Sequence, residues 1–261
     1  MTLIENKARR KLEAGGVAVS FGVHHLKTAA APLIAAATGH DILFIDMEHG
    51  PYNVQEAVQL CLAALPAGIA PVVRVCAGAL DEATRLLDNG ALGIMVPHVD
   101  TAERAREVAA AFHYPPQGRR SWGGPPALYG YRPPAVAEAM AAINREVLTV
   151  VMIESPEAVT NAEAIAAVPG VDVLLIGTFD LTAELGIAGQ VTHAKVVEAY
   201  ARVAAACRAH GKVLGMGGIN RPEDVKRYLG MGARYLGSGS DQEYIVAGAA
   251  ARMKLLAEML G

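Results

Sequence analysis

The stretch Ile42–Val96, ILFIDMEHGPYNVQEAVQLCLAALPAGIAPVVRVCAGALDEATRLLDNGALGIMV, decides the fold. Three short apolar runs stand in it: Ile42–Asp46 (ILFID), Val72–Val75 (VVRV) and Gly93–Val96 (GIMV). Each is too short for a helix and rich in β-branched or apolar side chains, so each reads as a buried strand. Between them, Val54–Leu65 and Leu80–Asn89 read as helices, the second stopped by Gly90. Strands alternating with helices imply a parallel sheet with helical crossovers.

The rhythm extends both ways. Toward the N-terminus lie a strand at Val17–Gly22 and a helix at Pro32–Thr38. Toward the C-terminus, Thr101 caps a helix that runs through Phe112. Tyr114–Pro134 then breaks the pattern with six prolines and four glycines. A loop of that length in a compact domain is usually functional or disordered. The pattern resumes with a helix at Ala135–Asn144, a strand at Leu148–Ile153 (LTVVMI) and a helix at Pro156–Ala167. A strand at Val173–Ile176, a helix at Lys195–His210 and a strand at Lys212–Gly215 follow. The last elements are a helix at Arg221–Met231, a strand at Tyr235–Gly239 and a helix at Asp241–Leu260. Eight strand–helix units in 261 residues predict an α/β chain folded as one (β/α)8 TIM barrel spanning residues 1–261. A Rossmann-like sheet lacks support, because no G-x-G-x-x-G follows the first strand.

Composition narrows the partners. The net charge of −3 offers no basic face for nucleic acid. The short basic run Arg9–Lys11 reads as a solvated helix face. Three cysteines, none in a C-x-x-C pair, make a disulfide framework unlikely and fit a reducing compartment. The N-terminus has no long apolar stretch of a signal peptide, and no run is long enough to span a bilayer. The expectation is a cytoplasmic protein with no membrane partner.

In a parallel barrel the chemistry gathers at the C-terminal strand ends. Asp46, Glu48 and His49 follow the second strand, Arg74 ends the third, Glu154 the fifth, and Gly177-Thr178-Phe179-Asp180 follows the sixth. Two carboxylates on neighbouring strands, Glu154 and Asp180, suit a hard divalent cation such as Mg2+ or Mn2+. The alternative pairs one carboxylate with Arg74 and lets Asp180 cap a helix. His49, three residues after Asp46, is placed for acid–base work. Arg74, embedded in a buried strand, needs a partner, Glu154 or Glu48, or else stabilises an oxyanion. Backbone N–H groups at Gly177-Thr178 are suited to a carboxylate. His98, in VPHV, reads as a structural hydrogen-bonding group or a substrate contact.

The segments FIDMEHGPYNVQ, VVRV, RLLDNGALGIMVPHVDTAERAR, YPPQGRRSWGG, VMIES and IGTFDLTAELG, in this order, resemble the HpcH/HpaI family of class II pyruvate aldolases. The likeness runs from about Gly22 to Tyr235. It implies a homo-oligomer, a hexamer or trimer of dimers, with the last helix exchanged between subunits. It implies a divalent cation held by Glu154 and Asp180: Mg2+ or Mn2+ first, Co2+ or Zn2+ also accepted. Pyruvate would chelate the metal, with His49, oriented by Asp46, assisting proton transfer and Arg74 stabilising the enolate oxygen. The backbone at Thr178, Phe179 and Asp180 would receive the carboxylate. Asp88 matches a residue that reaches a neighbouring subunit's site, although by spacing it reads as a helix end. The implied reaction is reversible retro-aldol cleavage of a 4-hydroxy-2-oxo acid, in the manner of a 4-hydroxy-2-oxoheptanedioate aldolase, to pyruvate and an aldehyde. No Schiff-base lysine is needed, and no Lys lies at these strand ends.

This sequence departs from the family pattern at Met152, where Gln is frequent, and at GTFD, where G-P-x-D is frequent. The bulky Phe179 puts the usual dicarboxylate substrates in doubt. Arg119, Arg120 and Trp122, in the Gln117–Gly124 loop, are candidates either for substrate contact over the mouth or for an oligomer interface. Two other readings stay open: a citramalyl- or malyl-CoA-type lyase, and a non-catalytic barrel that binds oxo acids.

Overall fold

The computed structural model describes residues 3–260. It opens with a short helix, α1 (Lys7–Glu13), and then begins the alternation with β1 (Ala18–Val23), α2 (Ala30–Ala37), β2 (Ile42–Asp46), α3 (Val54–Ala67) and β3 (Ala70–Arg74). The middle of the chain supplies α4 (Leu80–Asp88), β4 (Gly93–Val96), α5 (Ala102–Phe112), α6 (Val136–Glu146) and β5 (Leu148–Ile153). Two short helices, α7 (Pro156–Thr160) and α8 (Ala162–Ala166), lead to β6 (Val173–Gly177), α9 (Thr178–Glu184) and α10 (Ala194–Ala209). The chain ends with β7 (Val213–Gly217), α11 (Pro222–Gly230), β8 (Ala233–Ser240) and α12 (Asp241–Leu260). The strands pair in parallel in sequence order, and β8 closes on β1 to complete an eight-stranded barrel. No helix among the described residues is long and apolar enough to cross a membrane.

Local chemistry explains the ends of these elements. Asn53 starts α3 with a reciprocal capping box to Glu56, and Gly68 ends it in the left-handed region. Thr101 caps α5 as the sequence predicts. The predicted helix Pro156–Ala167 is two helices, because the chain breaks at Asn161, which is C-cap of α7 and N-cap of α8. Its side-chain amide donates to Asp100 O at 2.8 Å, tying the break to the end of β4. The Tyr114–Pro134 loop is irregular apart from one 3-10 turn, Ala127–Tyr129.

The basic run near the N-terminus is only partly a solvated face: Lys11 is exposed, while the two arginines are half-buried. It lies on α1 and joins that helix to the barrel. Arg9 is half-buried, pairs with Asp172 at 3.0 Å and donates to Val147 O at 2.7 Å. Asn6 is wholly buried ahead of α1, donating its backbone N–H to Glu146 and its amide to Leu92 O and Glu146 O. Arg10 pairs with the same Glu146. These partners sit at strand starts, so α1 fastens the end of the barrel opposite the C-terminal strand ends.

At the mouth, the β1 end is fixed by Asp241, the first residue of α12, which is 1% exposed. Its carboxylate accepts N–H from His24 (3.1 Å), His25 (2.8 Å), Leu26 (2.7 Å) and Gln242 (2.8 Å). Burial alone would push this carboxyl up, but the four N–H groups outweigh it and hold the group below the usual carboxylate range. A depressed carboxyl stabilises the fold above its unfolded pKa of about 3.9 and loses that contribution as the pH falls through its folded value. We expect Asp241→Asn to cost about 1–3 kcal/mol in urea unfolding at pH 7. The difference from the native protein should shrink as the pH is lowered below about 4.

Candidate active site

The strands end in charged residues on the face predicted from sequence. A cavity of about 510 Å³ opens there. Its wall includes His49, Arg74, Glu154, Gly177, Thr178, Phe179 and Asp180, so seven of the predicted residues converge.

A buried ion pair organises the β2–β3 side. Asp46 and Arg74 are paired in register across β2 and β3. Arg74 Nε donates to Asp46 Oδ1 at 2.9 Å and Nη2 donates to Oδ2 at 2.6 Å, a fork-to-fork contact. Asp46 is fully buried. Burial would raise its carboxyl, but the Arg74 guanidinium beside it holds it below the ordinary range. Glu48 adds a second carboxylate to Arg74 at 3.2 Å from Nη1. Arg74 is therefore balanced by Asp46 and Glu48, and Glu154 is not its direct partner.

This arrangement corrects the expected Asp46–His49 relation. Asp46 Oδ1 accepts the backbone N–H groups of Glu48 (3.0 Å) and His49 (3.3 Å), so it shapes the turn and not the imidazole. The His49 ring is 63% exposed and lies 3.9 Å from Glu48. The imidazole nearest Asp46 is His24, with Nε2 3.5 Å from Oδ2. His24 lines the cavity and was missed from sequence, although its position just past a strand end was a usable signal.

Glu154 is 1% exposed and accepts the backbone N–H of His98 at 2.9 Å. The His98 ring lies 3.6 Å from the same carboxylate. His98 holds φ at +51°, a left-handed value rare for a residue other than glycine, which aims its N–H at Glu154. Burial pushes the Glu154 carboxyl above its usual range and the charge of Asp180 adds to this, against the opposing pull of His98 and Arg74. Gly177 is required here: a Cβ at that position would lie 2.3 Å from Glu154 Oε1. Asp180 does not cap a helix. Gly177 is the N-cap of α9, and Asp180 sits exposed in its first turn.

The set fits a hard divalent cation. It is all oxygen, the charge of Asp180 bears on the buried Glu154, and that buried member has no direct arginine or lysine partner. Among the described residues, no group of three or more His, Cys, Asp or Glu side chains is placed to hold a metal. A site on these two carboxylates would leave its other positions to water or substrate.

The remaining predicted residues divide between the cavity wall and a separate cluster. The Thr178 side chain is committed to Gly217 O (2.7 Å) and Tyr200 (2.8 Å), which leaves only its backbone available to a ligand. Phe179 is 57% exposed, and its ring lies against Gly218. Asp88, Arg120 and Trp122 do not line the cavity. They form a separate cluster in which Arg120 donates to Asp88 at 2.6 Å, stacks on Tyr114 at 4.5 Å, and Tyr114 meets Trp122. Within one chain, Arg120 and Trp122 therefore make no lid over the mouth.

The chain is similar to known proteins over most of its length. The model of the HpcH/HpaI aldolase/citrate lyase family matches residues 25–247. The chain is 35% identical to a 4-hydroxy-4-methyl-2-oxoglutarate aldolase of Hapsidospora irregularis, over 95% of this chain and 94% of the relative. It is 39% identical to a hydroxypyruvate/pyruvate aldolase of Delftia acidovorans, over 82% and 79% of the two chains. A crystal structure of an HpcH/HpaI aldolase from Desulfitobacterium hafniense superposes with a TM-score of 0.90 at 32% identity, over 96% of each chain.

The buried Asp46–Arg74 pair carries a stability prediction. Asp46→Asn leaves a buried guanidinium with one flanking carboxylate and should cost about 3 kcal/mol in urea unfolding. Glu48→Gln, at the more exposed contact, should cost less than about 1 kcal/mol.

Proposed function

Since this chain belongs to the HpcH/HpaI aldolase/citrate lyase family, we propose that it cleaves a 4-hydroxy-2-oxo acid reversibly to pyruvate and an aldehyde at the β-strand ends described above. It is a carbon–carbon lyase of the class II type, a class that depends on a divalent metal. Glu154 and Asp180 would hold that metal, with Mg2+ or Mn2+ best suited to two carboxylates. When bound, the cation supplies Lewis-acid withdrawal of charge from the 2-oxo group.

The observation that carries this reading is Glu154 itself: a buried carboxylate beside a second carboxylate, while the nearby arginine is spent on Asp46 and Glu48. The remaining roles fall to side chains around the cavity. Cleavage removes a proton from the 4-hydroxyl, breaks the C3–C4 bond and leaves the electron pair on the pyruvate fragment as an enolate. Arg74, fixed by two carboxylates and facing the cavity, stabilises the negative oxygen. His49, exposed at the mouth in a turn that Asp46 holds, moves the proton through water. The backbone N–H groups of Thr178, Phe179 and Asp180, in the first turn of α9 and free of intrahelical partners, receive the 2-oxo acid carboxylate. The Asp88–Arg120–Trp122 cluster would contribute only if a neighbouring copy of the chain brought it to the mouth.

Pyruvate release from a panel of 4-hydroxy-2-oxo acids tests the reading. Release should stop on chelation and return when Mn2+ or Mg2+ is restored. Release that continues at full rate after exhaustive chelation would overturn the metal assignment. Arg74→Lys, which loses the fork but keeps the charge, should lower kcat by roughly 10²–10³-fold.

A further inference from the structure

Two imidazoles line the cavity, His24 and His49, and they stand in different surroundings. The His49 ring is 63% exposed, and the carboxylate nearest it is Glu48, at 3.9 Å. The His24 ring is 21% exposed, and its Nε2 lies 3.5 Å from Oδ2 of the buried Asp46. The fold fixes His24 from its backbone. It follows β1 directly, and its N–H donates to Asp241 at 3.1 Å. The next residue, His25, does not line the cavity; its ring meets Gln242 at 2.7 Å.

An imidazole nitrogen turned toward a carboxylate carries the proton. The other nitrogen is then a base in the neutral ring and a second donor once the ring is charged. For His24 that other nitrogen is Nδ1. It has no hydrogen-bond partner among the described residues, and it is not among the buried polar atoms left unpaired, so it keeps accessible surface. Asp46 Oδ2 also accepts the 2.6 Å bond from Arg74 Nη2. One carboxylate oxygen thus stands between the guanidinium and the imidazole, and both side chains line the same cavity. An enolate oxygen stabilised by Arg74 has its nucleophilic carbon, C3, two bonds away.

We propose that His24 is the acid–base group for C3 of the substrate, separate from the water relay at His49. The proposal rests on the aldolase reading and assigns one proton transfer within it. When C3–C4 breaks, the electron pair left on the pyruvate fragment spreads over C3 and the 2-oxygen. Charged His24 gives its Nδ1 proton to C3, which completes the methyl group of pyruvate and returns the ring to neutral. In the condensation direction, neutral His24 takes a methyl proton, and the electron pair of that C–H bond becomes the enolate. The proton of the 4-hydroxyl leaves through His49 and water. Each cleavage therefore takes up one proton from solvent at His24 and releases one at His49. Depth suits the two tasks: transfer to carbon needs a donor in contact, whereas a hydroxyl proton passes along water.

The test follows exchange of the pyruvate methyl protons in deuterated water by proton magnetic resonance, with the Mg2+-loaded protein and no aldehyde. This isolates the chemistry at C3 from cleavage. His24→Gln, which keeps an N–H donor for Asp46, should slow exchange by roughly 10²-fold or more. His24→Ala should regain part of the exchange when imidazole is added, a rescue that a merely structural role would not give. His49→Gln should slow pyruvate release from a 4-hydroxy-2-oxo acid by more than it slows exchange. Mn2+ binding and circular dichroism of His24→Gln should stay native. Exchange at the native rate in His24→Gln would overturn the assignment, as would exchange slowed more by His49→Gln than by His24→Gln. Loss of Mn2+ binding together with exchange in His24→Gln would also overturn it, and so would a native protein that releases pyruvate yet exchanges no methyl protons. A native protein that neither exchanges them nor releases pyruvate from any 4-hydroxy-2-oxo acid would instead overturn the aldolase reading beneath it.

Discussion

The buried contact between Asp46 and Arg74 sets the electrostatics of the whole mouth. Two hydrogen bonds, 2.9 and 2.6 Å long, join a fully buried carboxylate to the guanidinium on the next strand. Glu48 takes a further share of the same arginine. The result is a half on β2 and β3 balanced by arginine and a half on β5 and β6 without one, where the charge of Asp180 adds to the burden on Glu154. Glu154 is buried with only the His98 N–H and ring beside it, and this is the ground on which a cation is proposed there. The same pair holds Arg74 at the cavity wall, the position the proposed stabilisation of a developing oxyanion requires.

Around that charge pattern the barrel supplies shape. Parallel strands place side chains in layers, and the choice of residue at each inward position decides whether a layer is solid or hollow. Here the β2–β5 arc is filled by Phe44, Met95 and Met152, while the β6–β1 arc is thinned by glycines. Some of those glycines are consequences of the site: Gly177 exists because Glu154 occupies the space its side chain would need. Others, Gly217 and Gly237, leave room that no backbone constraint requires.

Much of this was legible in the sequence. Short apolar runs bounded by turns fixed the eight strands, and GIMV and LTVVMI match the strands Gly93–Val96 and Leu148–Ile153 to the residue. The strand-end charges converge because a parallel barrel sends every strand the same way. What sequence reasoning missed depends on contacts between distant segments. The α1 helix looked solvated because its arginines find their carboxylates, Asp172 and Glu146, more than a hundred residues away. The i, i+3 spacing of Asp46 and His49 suggested a dyad, but the cross-strand register gives Asp46 to Arg74 and brings His24 near it. Asp88 and Arg120 meet through a loop with no periodicity to guide a reading.

The account turns on a cation at Glu154 and Asp180, and direct Mn2+ binding tests it most closely. Titration of the metal-stripped protein, followed by the paramagnetic resonance of free Mn2+, should give one bound ion per chain. Gly177→Ala, whose added methyl would intrude on Glu154, and Glu154→Ala should both abolish that binding while their circular dichroism stays native. Mn2+ held with undiminished affinity by Glu154→Ala would contradict the account, because the ion would then sit somewhere other than the strand-end carboxylates.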